Sequence, residues 1–373
     1  MKICFFSESV MLLFMLIVFP IQLAAIVRLP TVFSDNMVIQ QNIPFQIWGW
    51  AAPNEHIAVK CSWLKTDYKI SADPEGNWRL SIPSPITGGP YQVSIKGQNE
   101  ILIQDVFCGE VWICSGQSNM EMGMKIISNA AEEIRQANYP GIRLFDVRKA
   151  ERDTLLSDVK GKWKICTPES VSEGDWEGFS ALAYFFGRRI HEELRVPVGL
   201  IDISWGATHI EPWIAPEGYL MVEEVLDLYQ NRFQVNSGGV WGEPYRPSRI
   251  YNAMVAPLGT FSFRGVLWYQ GESNVGDGMQ YYYKMKALID GWREVWKQGD
   301  FPFYFVQIAP YQDYAEGELE KLWKAQKKAL EISNTGMAKT EDIGDWNDIH
   351  PKNKLEVGER LAKIALNNIY KSK

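Results

Sequence analysis

Through the first third of the chain apolar and polar residues alternate with a strand-like period, broken about every eight to twelve residues by turn formers. Segments 37–41, 45–50, 56–62, 78–82 and 91–96 read as strands. Between them lie Asn42-Ile43-Pro44, Ala52-Pro53-Asn54, Asp73-Pro74-Glu75-Gly76 and Gly88-Gly89-Pro90. No helical period persists here, so residues 26–104 are expected to form a small β-sandwich domain. From residue 105 the pattern changes. Apolar runs at 111–114, 143–147, 198–204, 265–268 and 303–308 alternate with amphipathic stretches at 124–138, 180–194, 279–297, 318–332 and 353–370. That βα alternation predicts a parallel sheet covered by helices on both faces, a three-layer α/β/α sandwich over residues 105–373. Ser180 is placed to cap the second of these helices. The loop-rich, aromatic stretch 205–252 suits the rim of a substrate site.

Residues 1–25 carry a different signal. Lys2 precedes an apolar stretch at 10–20, and Leu23-Ala24-Ala25 offers small residues for cleavage. The run is too short for a convincing membrane span. It reads as a signal peptide, so the mature chain is expected to be exported, periplasmic or extracellular, without stable membrane insertion. Export leaves Cys61, Cys108, Cys114 and Cys166, too few for a disulfide scaffold and more simply read as buried thiols. There is no Cys-x-x-Cys and no His-x-x-x-His among only four histidines, so no metal site is expected. A net charge of −7 without a basic run argues against a nucleic-acid partner. The pattern specifies no oligomeric state.

Candidate chemistry is concentrated in four short motifs. Cys114-Ser115-Gly116-Gln117-Ser118-Asn119-Met120 follows the apolar run Val111-Trp112-Ile113. Ser204-Trp205-Gly206-Ala207-Thr208 and Trp268-Tyr269-Gln270-Gly271-Glu272-Ser273-Asn274 also end apolar runs, and Asp345-Trp346-Asn347-Asp348-Ile349-His350-Pro351 lies near the C-terminus. Open α/β sheets place their sites at strand C-terminal ends. A serine there, on a glycine turn that opens a helix, can present a nucleophile beside N–H groups able to hold an oxyanion. Ser115 and Ser118 both fit that description. A histidine is the natural base for such a serine. His56 falls in the β-rich region and His191 on a predicted helix, His209 lies near the second motif, and His350 sits on a short turn before Pro351, which is read as the first residue of a helix.

Serine, glycine, asparagine and histidine in that order resemble the SGNH (GDSL-like) hydrolase superfamily. The phrases GQSNM, WYQGESN and DIHP, with Asn252-Ala253-Met254-Val255-Ala256-Pro257-Leu258 between them, are similar to the sialate O-acetylesterase family of carbohydrate esterases. The resemblance runs from about residue 29 to the C-terminus. It implies Ser118 as nucleophile, with Ser115 the runner-up, and His350 as general base. It implies Asp348 as the residue orienting His350, with Asp345 the alternative. The superfamily spaces this pair as Asp-x-x-His, and here Asn347 stands at that position. The N–H groups of Ser118 and Gly206 and the side-chain amide of Asn274 would form the oxyanion hole. Ala207 replaces a second glycine common at that point. Gln117, Trp205, Gln270, Glu272 and Trp346 would support or contact the substrate. The family needs neither metal nor cofactor, and its partner is an acetylated carbohydrate: O-acetylated sialic acid first, an acetylated plant glycan such as xylan second. A glycan-binding protein without catalysis is the competing class.

Overall fold

The computed structural model describes residues 26–234 and 246–370. The expected signal peptide and residues 235–245 of the expected rim lie outside the described residues.

The N-terminal region contains β1 (Val38–Gln40), β2 (Phe45–Trp50), β3 (His56–Cys61), β4 (Tyr68–Ser71), β5 (Asn77–Ile82) and β6 (Gly88–Lys96). Alternation works as the sequence predicts: Phe45 and Ile47 of β2, and Ile57, Val59 and Cys61 of β3, turn inward while their neighbours stay wetter. The turn before β5 is fixed by Asp73, whose Oδ1 accepts from the Asn77 N–H at 2.7 Å. Strands β2 and β5 form an antiparallel pair; β3 joins β4 and β6, and β6 joins the long β7 (Glu100–Gly116), again antiparallel. Strand β1 adds to β7 in parallel.

Strand β7 crosses the expected division of the chain. It runs for 17 residues, pairing with β6 over its first half and with two strands of the parallel sheet over its second. A boundary after residue 104 falls inside this strand, beside Asp105, where a φ of +53° and the register shift against β6 mark a bulge. The N-terminal strands are therefore not a free-standing sandwich; one of their sheets continues into the parallel one. No proline and no turn cluster interrupts residues 100–108, and the bulge at Asp105 does not end the strand.

The parallel sheet has the order β13-β12-β11-β7-β10-β8-β9. Its further members are β8 (Tyr139–Asp146), β9 (Trp163–Cys166), β10 (Val198–Ser204), β11 (Gly265–Tyr269), β12 (Phe303–Val306) and β13 (Thr335–Ala338). All pairs are parallel except β8–β9. Every residue of β10, β11 and β12 is buried, as a sheet covered on both faces requires. The helices are α1 (Ser118–Glu121), α2 (Ala130–Gln136), α3 (Pro168–Val171), α4 (Ala181–Leu194), α5 (Pro216–Met221), α6 (Glu223–Gln230), α7 (Gln280–Trp296), α8 (Glu318–Lys328) and α9 (Lys354–Ala365). Trp112 of β7 turns to Phe186 of α4, with ring centroids 4.8 Å apart. Trp268 of β11, at a position of opposite parity, turns to Trp292 of α7. The two tryptophans thus mark the two covered faces. Among the described residues no helix is long and apolar enough to cross a membrane.

Strand order reverses at β7: β10 and β8 lie to one side, β11, β12 and β13 to the other. The C-terminal ends of β7, β10 and β11 meet there, Gly116 standing in register with both Ser204 and Tyr269. A crevice outside such a switch point is where a doubly wound sheet binds ligands.

Candidate active site

Gly116 ends β7 with φ +140°, and a Cβ on it would stand 2.1 Å from the Tyr269 carbonyl oxygen. Only glycine permits this bend. Gln117 follows, its N–H bonded to that carbonyl, and Ser118 then opens α1 with its own N–H among the groups that a helix N-terminus leaves unpaired. Ser118 Oγ lies 2.9 Å from Nε2 of His350. The histidine comes from the loop before α9, which starts at Lys354 and not at Pro351; Asn353 caps it by accepting from the Glu356 N–H. Ser115, the runner-up, is buried in β7 with its hydroxyl donated to the Ile203 carbonyl at 2.7 Å.

Burial, and then the charge of Lys354, hold His350 below its ordinary pKa, while Asp348 works against them. The imidazole is accordingly neutral at pH 7 and able to take the Ser118 proton. The ring of Trp176 stands edge-on to it, with centroids 5.0 Å apart. The remaining histidines are elsewhere: His56 meets Ser71 in the N-terminal strands, His191 meets the Val196 carbonyl, and His209 lies near Glu211 and Asn274.

The other expected site residues divide sharply. Ser118, His350, Gln117, Gly206 and Glu272 line one open pocket of about 510 Å³, together with Glu121, Lys149, Asp175, Trp176 and Ala207. Gln117 Oε1 accepts from Gln270 Nε2 and from the N–H groups of Gly271 and Ser273. That fixes its amide orientation and leaves Nε2, which has no protein partner among the described residues, to the pocket. Gln270 is fully buried behind Gln117, donating also to Asn274 Oδ1 and the Thr208 carbonyl. It supports the loop and does not line the pocket. Glu272 accepts from Asn119 Nδ2 through Oε1; its Oε2 is buried without a partner, and burial raises its pKa. Trp205 packs half-buried against the core, outside the pocket lining. Trp346 is exposed and lines a separate groove with Asp345 and Asp348.

Three expectations need correction. Asn274 does not line the pocket with Ser118: its Nδ2 donates to Asp277 at 2.8 Å and Glu211 at 3.2 Å, and its Oδ1 accepts from the Ile210 N–H. Lys284 bridges the same two carboxylates, so Asn274 completes a buried ion network and its amide protons are already committed. Gly206 does lie beside Ser118, but its N–H donates to Glu121 Oε2 at 2.5 Å. Glu121 in turn pairs with Lys149 at 2.5 Å. Asp348 accepts from the backbone N–H of His350 at 2.9 Å, while Nδ1 of that histidine has no hydrogen-bond partner among the described residues. The aspartate therefore shapes the loop and biases the ring electrostatically without gripping it. The Asp345 side chain accepts from Asn347, two residues on, and its carbonyl accepts from the Asp348 N–H at 3.1 Å.

Glu121, Lys149, Asp175 and Trp176 were not singled out in the sequence. For Glu121 a signal existed: on α1 it stands three residues after Ser118, and residues so spaced share a helix face. Cys61, Cys108, Cys114 and Cys166 are all buried and unpaired. A larger groove, about 780 Å³ between α4 and α9, is lined by mutually paired charges and holds no candidate nucleophile. Among the described residues no cluster of His, Cys, Asp or Glu is arranged to hold a metal ion.

Comparison with known proteins identifies the family. Residues 108–367 match the family described as carbohydrate esterase, sialic acid-specific acetylesterase. The sialate O-acetylesterase of Mus musculus is 31% identical over 88% of this chain and 71% of its own length. That of Homo sapiens is 29% identical over 90% and 69%. The crystal structure of a carbohydrate acetylesterase from Xanthomonas citri superposes with a TM-score of 0.82 at 31% identity, covering 93% of this chain and 76% of the other. With the serine and histidine at hydrogen-bond distance on the matched segment, the chain belongs to the sialic acid-specific acetylesterase family of carbohydrate esterases and is a carboxylic ester hydrolase.

Proposed function

We propose that this chain is an exported carbohydrate O-acetylesterase that acts on O-acetylated sialic acid through an acetyl-enzyme intermediate. The observation that carries the reading is the 2.9 Å contact between Ser118 Oγ and His350 Nε2 at the switch point of the sheet. Sialate as substrate is supported by the mammalian relatives, which are sialate O-acetylesterases. Export is supported by the leader-like pattern of residues 1–25.

In the proposed reaction Ser118 Oγ attacks the acetyl carbonyl carbon as its proton passes to His350 Nε2. Negative charge collects on the carbonyl oxygen, where the Ser118 N–H, the Gln117 Nε2–H and, once Glu121 withdraws, the Gly206 N–H can donate. Collapse of the tetrahedral species breaks the bond to the sugar oxygen, which takes the proton from His350. A water then enters and gives a proton to His350, and its oxygen attacks the acetyl-serine. Collapse returns that proton to Ser118 Oγ and releases acetate. With Nδ1 unheld by a carboxylate, Asp348 contributes the loop conformation and a stabilising field for the imidazolium.

The test is acetate release from O-acetylated sialosides and acetylated xylo-oligosaccharides, with Ser118→Ala as control. Sialoside turnover that Ser118→Ala abolishes is the expected result. Turnover of the xylo-oligosaccharides alone would reassign the substrate, and no serine-dependent turnover of any acetyl ester would sink the enzymatic reading in favour of a glycan-binding role.

A further inference from the structure

Lys354, the first residue of α9, is buried completely, four residues after His350. A lysine in such a place needs an explanation. Its Nζ donates to Asn119 Oδ1 at 2.6 Å and lies 5.4 Å from the centre of the Tyr269 ring; among the described residues no carboxylate pairs with it. Asn119 follows the nucleophile directly on α1. Its Nδ2 donates to Glu272 Oε1 at 2.5 Å and to the Ile349 carbonyl at 2.9 Å, the carbonyl of the residue preceding His350. An ammonium can only donate, so Lys354 dictates which end of the Asn119 amide faces it and sends the N–H₂ end toward the histidine loop.

We propose that Lys354 is a positioning residue of this esterase, which through Asn119 clamps the His350 loop onto the turn that bears Ser118. The inference rests on the reading of Ser118 and His350 as nucleophile and base. Lys354 itself lines neither the pocket nor the substrate path.

The clamp also carries charge. The groups facing Lys354 are Asn119 on α1, Tyr269 at the end of β11, Glu272 in the loop beyond it, and Asp348 and His350 in the loop before α9. Burial lowers Lys354 to about 7, against the pull of Glu272 and Asp348. It is therefore still protonated over the lower range in which His350 titrates, and its charge there holds the histidine's proton affinity down. Removing that charge must raise the pKa of His350 and carry the acid limb of kcat/KM upward.

The experiment compares the unmodified protein, Lys354→Met and Lys354→Gln by kcat, KM and pH profile, with fluorophosphonate labelling of Ser118 as a measure independent of the sugar. Both variants should lose about 10- to 100-fold in kcat, because a displaced base costs rate more than binding. KM should stay within about two-fold, and the acid limb of turnover and labelling should move up by roughly 0.5 pH unit or more. Variants whose rate and acid limb superpose on those of the unmodified protein, or which differ from it only in melting temperature, overturn the proposal. Should neither variant fold, the imidazole ¹⁵N shift of His350 in the unmodified protein decides. Two inflections, the second reporting Lys354, support the clamp; a single inflection at the ordinary histidine pKa overturns it. An unmodified protein that neither labels at Ser118 nor hydrolyses acetyl esters would instead refute the assignment of nucleophile and base.

Discussion

Glu121→Gln should make the enzyme faster. The carboxylate of Glu121 occupies the Gly206 N–H at 2.5 Å, and the same glycine has the Cβ of Ser118 close by: a Cβ on Gly206 would meet Glu121 Oε2 at 3.1 Å and Ser118 Cβ at 3.4 Å. An oxyanion formed on the acetyl group thus develops within ~5 Å of a full negative charge. At an effective dielectric of ~20, two unit charges at that distance repel by ~3 kcal/mol. Lys149, paired with Glu121 at 2.5 Å, offsets most of this and leaves roughly 1 kcal/mol in the barrier, worth about 5-fold in rate. Glutamine keeps the shape and an acceptor for Gly206 but gives up the charge, so that amide is more easily surrendered to the transition state. We expect kcat to rise about 5-fold, with a ceiling near 100-fold were Lys149 without effect. Lys149→Met should act in the opposite sense, by stripping Glu121 of its counter-charge. The assay is steady-state hydrolysis of 4-nitrophenyl acetate and of an acetylated sialoside at neutral pH. A tenfold fall in kcat, or a raised KM on the sialoside alone, would refute the reasoning and make Glu121 a group that grips the sugar.

Ser115→Ala should leave Ser118 fully open to fluorophosphonate labelling while costing about 1 kcal/mol of stability in urea, since it removes one buried hydrogen bond to Ile203. Asp348→Asn should move the acid limb of kcat/KM to lower pH, because Asp348 raises the pKa of His350. The fall in kcat should stay at about tenfold, since asparagine still accepts from the His350 N–H, and Asp345→Asn should be nearly silent; a loss of ~10⁴ for Asp348→Asn would restore it as the residue gripping the ring. Asn274→Ala should lower the unfolding free energy by about 3 kcal/mol, with kcat changed only a few-fold, because it breaks a partly buried ion network. A 10²–10³ loss of kcat at unchanged stability would put its amide back in the oxyanion hole.

Where the chain states its intentions locally, the sequence reads true. The apolar run 198–204 is β10 residue for residue, and Ser180 caps α4 by accepting from the Ala183 N–H. Strand β13, four residues at the sheet edge, lacks an apolar run and left no trace in the pattern. Helices α5 and α6, each under three turns, were lost in a stretch that reads as loop. In the site, Ser118 and His350 could be read because a short motif holds each one. What escaped depends on partners far along the chain. Glu121 looks like a solvated helix residue until Lys149 and Gly206 close around it. Spacing cannot say which way a carboxamide points, and for Asn274 the deciding residues are Glu211, Asp277 and Lys284.

Strand β7 also determines what kind of object this enzyme is mechanically. Its seventeen residues are paired by the N-terminal strands at one end and by β10 and β11 at the other, with one left-handed residue, Asp105 at φ +53°, at the bulge against β6. Ser118 stands two residues beyond the end of that strand. Any swing of the N-terminal strands relative to the crevice would have to strip a ladder on one side of that bulge or the other, so the two regions share one continuous run of backbone pairing.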